Sequence, residues 1–357
     1  MGFLEELKEG KVSEDIKRIA AENAIPLPLK EQFEVLAFLM DDPIVEIADK
    51  ASLTLMDMPK NSVISYLSGR DANPKLLKFY AEYALENKDY ELIEVIVKNP
   101  STSDSILKML AEKGDEKIVD IVVSNQIRSI ADHKILEAVV ANPHSSIRAK
   151  ALAKEWLRLY YSNKNEVEII ETVEEMAEEG ALEDIEEIGD LEELETLEEV
   201  EEVKEISAAE LKERLKNIYN LTWEDIKRLP IPAKIKVALM GSKMHRAILI
   251  RDPNKTVVDA VLESPKLTED EIEGYSKMKS LPQDVVRKIA QAREWTKNYQ
   301  VRLNLVKNPK TPTQYSLSFL RTLREKDLKD VAMSKEVPAV VRREAQRILN
   351  QKKKIKF

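Results

Sequence analysis

Apolar residues return every three or four positions along most of this chain, and short polar breaks carrying Pro, Asn or Asp interrupt the pattern. That period predicts ten helices between residues 13 and 161 and eleven between 207 and 351, joined by short connections. Among them are single helices over 131–141, 144–161, 282–296 and 312–324. No stretch alternates apolar and polar residues between hairpin turn signals, so the expected fold class is all-α. Interiors would be filled mainly by Leu, Ile, Val and Ala, because 43% of residues are hydrophobic and only 5% aromatic.

The breaks recur as Asp42-Pro43, Asn73-Pro74, Asn99-Pro100, Asn142-Pro143, Asp252-Pro253 and Asn308-Pro309. Proline suits the first turn of a helix and a preceding Asn or Asp can cap it, so each break is expected to start a new helix. Four segments after a proline share a β-branched residue, usually Arg, then Ala: Ile47-Ala48…Ala51, Ile147-Arg148…Ala151, Val286-Arg287…Ala290 and Val341-Arg342…Ala345. This pattern resembles the second helix of HEAT repeats and of the related leucine-rich-repeat-variant modules. Two echoes support repetition: Val97-Lys98-Asn99-Pro100 matches Val306-Lys307-Asn308-Pro309, and Arg148…Trp156…Tyr160 parallels Arg287…Trp295…Tyr299. The resemblance, over most of 26–160 and 230–350, implies two α-solenoid-like, HEAT-like lobes. Their stacked helix pairs would bury a continuous core and offer extended binding surfaces.

Charge divides the chain more sharply than hydrophobicity does. The net −9 conceals −5 over 1–165, −19 over 166–205 and +15 over 206–357. The expected domains are therefore an N-terminal helical lobe at 1–165, an acidic low-complexity linker at 166–205 and a basic C-terminal lobe at 206–357 with a Lys-rich tail. From Leu182 the linker places an apolar residue at every third position: Leu182, Ile185, Ile188, Leu191, Leu194, Leu197, Val200, Val203 and Ile206. At 100° per residue such a row circles an α-helix instead of forming a stripe. A solvated, flexible tether is the plain expectation. An intramolecular contact of 166–205 with 206–357, or a peptide that folds on a partner, are the alternatives.

Familiar chemistry is missing. There is no cysteine, and the three histidines, His133, His144 and His245, fall in no ligand spacing. Eight scattered glycines form no phosphate cradle or nucleophile elbow. No catalytic residue, cofactor or metal site is expected, and the chain reads as a non-enzymatic, cytoplasmic protein without a membrane span. Its expected role is a scaffold or adaptor that holds another protein on its repeat surfaces, with the acidic segment as tether or regulator.

The alternative is nucleic-acid or other polyanion binding by the C-terminal lobe. The candidate residues are Lys234, Lys236, Lys243, Arg246, Arg251, Arg287, Lys288, Arg293, Lys297, Arg342, Arg343, Arg347, Lys352, Lys353 and Lys354. Trp223, Trp295, Tyr299 and Tyr315 lie among them and could stack on bases, although the echo around Trp156 marks Trp295 as a packing residue.

Overall fold

The computed structural model describes residues 2–178 and 223–355, without the side chains of 164, 165, 178 and 353–355. These residues form 23 α-helices and one short 3₁₀ turn, Trp295–Lys297, with no strand among them. They divide into two compact units, Met1–Ser162 and Asn163–Phe357.

Unit 1 holds α1 (Phe3–Lys8), α2 (Glu14–Ala21), α3 (Leu29–Leu39), α4 (Val45–Met56), α5 (Lys60–Leu67) and α6 (Pro74–Asn87). It continues with α7 (Tyr90–Lys98), α8 (Asp104–Lys113), α9 (Glu116–Ser124), α10 (Gln126–Ala131), α11 (His133–Ala141) and α12 (Ile147–Tyr160). Helices α1, α3, α5, α7, α9 and α12 touch in succession, and so do α2 with α4 and α6 with α8 and α11. Tyr80 of α6 joins the second row by donating to the Leu55 carbonyl of α4 at 2.8 Å. Between the rows runs one continuous apolar core from Leu7 to Ala153. The predicted helix 131–141 is α11, and a further short helix, α10, occupies 126–131 where none is expected; Asn125 and Asp132 cap the two starts by accepting the N–H of Arg128 and Lys134.

The Asn-Pro and Asp-Pro breaks act differently from the expectation. Only Asn73-Pro74 starts a helix directly, with Asn73 accepting the Lys75 N–H at 3.0 Å. Elsewhere the break closes the helix before it, and the next helix begins three to five residues after the Asn or Asp. Asn99, Asn142 and Asn308 are buried and accept the N–H two residues on, from Ser101, His144 and Lys310, at 2.7, 2.8 and 3.0 Å. Each amide then donates twice to carbonyls at the end of the neighbouring parallel helix. Asn142 reaches Ala111 and Gly114 at 2.8 and 2.9 Å, and Asn308 reaches Ser276 and Met278 at 3.2 and 3.0 Å. Asn99 treats Leu67 and Gly69 in the same way. The last carbonyls of a helix have no partner of their own, so this side chain both turns the chain and seals the neighbour. Aspartate cannot donate, and at Asp42 and Asp252 a lysine comes instead: Lys17 and Lys234, each at 2.8 Å.

Unit 2 opens with α13 (Lys164–Glu178), followed in the described residues by α14 (Trp223–Arg228), α15 (Ile231–Met240), α16 (Lys243–Leu249), α17 (Lys255–Glu263) and α18 (Glu269–Lys277). Then come α19 (Gln283–Gln291), the 3₁₀ turn, α20 (Tyr299–Lys307), α21 (Thr313–Leu320), α22 (Glu325–Met333) and α23 (Ala339–Ile355). Helices α13, α15 and α17 pack in sequence, as do α18, α20 and α22. The first part of the expected acidic linker is thus a helix. Ile169, Ile170, Val173, Met176 and Ala177 are buried at helical spacing, and α13 packs on α15. Each buried Ile or Val side chain contributes about 1.5–3 kcal/mol, enough to hold a helix rich in glutamate in place. The remaining linker residues, with the row from Leu182 to Ile206 and the predicted helix 207–219, lie outside the described residues.

The β-branched-to-Ala pattern also divides. Ile47 and Ala51, Val286 and Ala290, and Val341 and Ala345 are buried as expected. Ile147 is 90% exposed and Ala151 faces solvent too, while Ala149 and Ala153 take the core positions. The echo around the two tryptophans is likewise local to the sequence. Residues 147–160 form one helix, whereas 282–296 breaks after Gln291 and Tyr299 begins a new helix. The expected helix 312–324 stops at Leu320.

Candidate functional site

Most of the fifteen candidate bases are committed within the fold. Lys234 serves Asp252, and Lys236 is only 5% exposed. Buried Arg246 places Nε and Nη2 on the Glu271 carboxylate at 2.8 and 3.0 Å and Nη1 on the Gly241 carbonyl at 2.6 Å. Arg251 is half-buried and donates toward Met278 Sδ at 3.8 Å. Arg287 pairs with Asp284 and Arg347 with Glu344, both at 2.7 Å, and Lys288 pairs with Asp259. Lys352 reaches the Leu323 carbonyl at 3.4 Å, and Arg342 is half-buried. Lys243, Arg293, Lys297 and Arg343 are exposed. The Lys353 and Lys354 side chains lie outside those described.

A different set of cations gathers around Tyr299 in unit 2. Tyr299, at the start of α20, donates its hydroxyl to Asp327 on α22 and accepts the Arg324 N–H at 3.0 Å. Burial first, then that carboxylate, pushes the phenol above its ordinary range. Two guanidinium groups lie over its ring, Arg324 at 4.8 Å and Arg302 at 5.8 Å from the centroid. Arg302 Nη1 donates to the Thr296 and Lys297 carbonyls at 2.8 and 3.1 Å. Its buried Nε meets no hydrogen-bond partner. Arg321 and Lys326 flank Arg324, exposed like it and without a carboxylate at ion-pair distance among the described residues. Arg302, Arg321, Arg324 and Lys326 were absent from the sequence-derived candidates. The clasp recurs in unit 1 with one lysine, where Tyr90 donates to Asp115 at 2.9 Å beneath Lys117 at 4.1 Å from the ring centroid.

Unit 1 carries the other unusual surface. On α4, Glu46 and Lys50 face α2, through pairs with Arg18 and Glu22. Ile47, Ala51 and Leu55 face the core. The remaining side presents Val45, Leu53 and Met56, which are 69%, 57% and 44% exposed. On the next helices of that row most exposed positions are charged, among them Lys78, Glu82 and Glu86 on α6, Glu112 on α8, Lys134 and Glu137 on α11. Ile19 of α2 is 48% exposed.

His144 is exposed, and His133 lies 5.5 Å from the Tyr161 ring. His245 is buried and accepts the Ser242 N–H on Nδ1 at 3.1 Å, completing the start of α16. Burial, helped by Arg246, lowers its pKa to about 4. Trp223 is capped by Lys227 at 4.0 Å, and Trp295 is half-buried. No helix among the described residues is long and apolar enough to cross a membrane.

No family model matches the chain, and no curated protein matches it either. Among solved structures, the chain aligns with one described as an engineered protein, at 16% identity over 98% of each chain and a TM-score of 0.20.

Proposed function

We propose that the chain is a non-enzymatic scaffold of HEAT-like, α-solenoid type that holds a partner protein on the outward side of α4. The observation that carries this reading is Val45, Leu53 and Met56, exposed apolar residues that share the outer side of α4 with the single carboxylate of Asp49, on a row whose following helices expose mostly charge. Apolar side chains gathered on one exposed face mark interaction surfaces more often than scattered ones do. The ion pairs to α2 form a polar rim beside them, the usual anatomy of a protein interface.

The alternative of a nucleic-acid strip along unit 2 is less well supported, because a phosphate backbone needs a run of free cations, and six of the fifteen candidate bases hold carboxylates or carbonyls while Lys236 is buried. The test is a pull-down from nuclease-treated native lysate at low and moderate salt, comparing the parent with Leu53→Glu/Met56→Glu. Both positions are exposed, so stability should change by no more than about 0.5 kcal/mol each. Captured protein should survive nuclease and salt with the parent and be lost with the variant. Equal capture by both would remove α4 from the proposal.

A further inference from the structure

The Tyr299 clasp and its cations belong to unit 2, whereas α4 belongs to unit 1. The Tyr–carboxylate pair itself is structural, since Tyr90 and Asp115 do the same work in unit 1. What differs is the charge around it. In unit 1 a single lysine covers the ring, whereas in unit 2 two arginines converge on it. Arg321 and Lys326 stand beside Arg324 in sequence, and Lys297 lends its carbonyl to Arg302. Asp327 is engaged by the phenol, and neither guanidinium makes an ion pair with a carboxylate among the described residues. Arg324 is exposed with no side-chain acceptor among the described residues, and Arg302 keeps Nη2 while its Nη1 holds two carbonyls. Two arginines 4.8 and 5.8 Å from one ring centroid suit a compact, doubly charged, oxygen-rich group, which arginine engages through charge-assisted hydrogen bonds.

The surroundings decide between sources of that group. A single-stranded nucleic acid would need an open aromatic face for its bases and a cationic track for its backbone. Here the guanidinium groups already occupy the ring, and Glu325 and Glu344 interrupt the track. A single phosphate on a protein side chain requires neither.

We propose that Arg302 and Arg324, with Lys297, Arg321 and Lys326 at the rim, bind a phosphorylated serine or threonine of a partner protein. The site is independent of the apolar stripe on α4, so failure of one reading leaves the other standing.

The test uses the full chain and an immobilised degenerate library of phosphothreonine peptides, with the unphosphorylated library as control and short single-stranded DNA as competitor. Phosphorylation should raise retention about tenfold, the equivalent of 1.4 kcal/mol. Arg324→Gln should abolish that gain. Arg302→Lys, which keeps the charge and loses the fork, should reduce it, and Lys117→Gln at the unit 1 clasp should leave it intact. Thermal melts check that each variant folds; the exposed Arg324 can be replaced without disturbing the core. Equal retention of the two libraries, or retention indifferent to Arg324→Gln, would overturn the proposal. So would displacement by DNA at lower concentration than by free phosphothreonine peptide, which would assign the site to nucleic acid.

Discussion

Asn142 holds three hydrogen bonds where water does not reach, giving two to carbonyls of the neighbouring helix end and taking one from His144. Asn142→Ala strands all three groups, and each buried orphan costs about 1–3 kcal/mol. With partial relaxation the loss should be about 3 kcal/mol by chemical denaturation. Asn142→Asp should be at least as damaging, because it turns two donors toward acceptors with no lysine placed to reply. A denaturation midpoint unchanged by either substitution would contradict the assignment.

His245 makes a prediction about pH. Its folded pKa of about 4 lies below the ordinary 6.5, so the unfolded chain binds the extra proton first. Its contribution to stability is complete above pH 6.5 and is lost as pH falls toward 4. His245→Gln keeps an acceptor for the Ser242 N–H and should flatten the stability profile across that window, measured by denaturation at stepped pH. An unaltered slope would show that the imidazole is not the titrating group. None of this was legible in the sequence, where His245 stood between Met244 and Arg246 without a recognisable spacing.

At the scale of elements, periodicity located most helices because a 3.6-residue apolar stripe is written directly in the chain. It lost those whose boundaries depend on something distant. The short helix over 126–131 starts at Asn125, whose amide also donates to the Val97 carbonyl 28 residues back, and the helix before Trp295 ends although the sequence echoes an unbroken one. Glutamate content hid α13, whose apolar side matters only because α15 lies against it. Charge was the poorest guide to the site. Composition can count bases but cannot tell Arg246, enclosed with Glu271, from Arg324, exposed beside a phenol ring. Removing one member of a buried ion pair leaves the other uncompensated, at about 3–5 kcal/mol. Arg246→Met should therefore lower the stability of unit 2 by about that amount. A variant of native stability with reduced anion affinity would instead make Arg246 a binding residue.

For the molecule as a whole, two surfaces in different units are proposed to meet a partner by different physics. The apolar stripe on α4 should be indifferent to salt, whereas the arginines around Tyr299 should weaken as ionic strength rises. If one partner engages both, Leu53→Glu and Arg324→Gln will each weaken capture, and only the second defect will match phosphatase treatment of the lysate. The all-helical class and the repetition of breaks were readable from the chain. The purpose of those breaks was not, because it depends on helix ends about thirty residues away. One consequence reaches beyond stability. Asparagine ages to aspartate when the following backbone nitrogen attacks its side-chain carbonyl and forms a succinimide, and proline has no N–H to give. Asn99, Asn142 and Asn308, where that conversion would set a carboxylate against carbonyl oxygens, are each followed by proline. The residue that shapes each break thus also slows its chemical decay, and a long incubation at alkaline pH should deamidate other asparagines of this chain first.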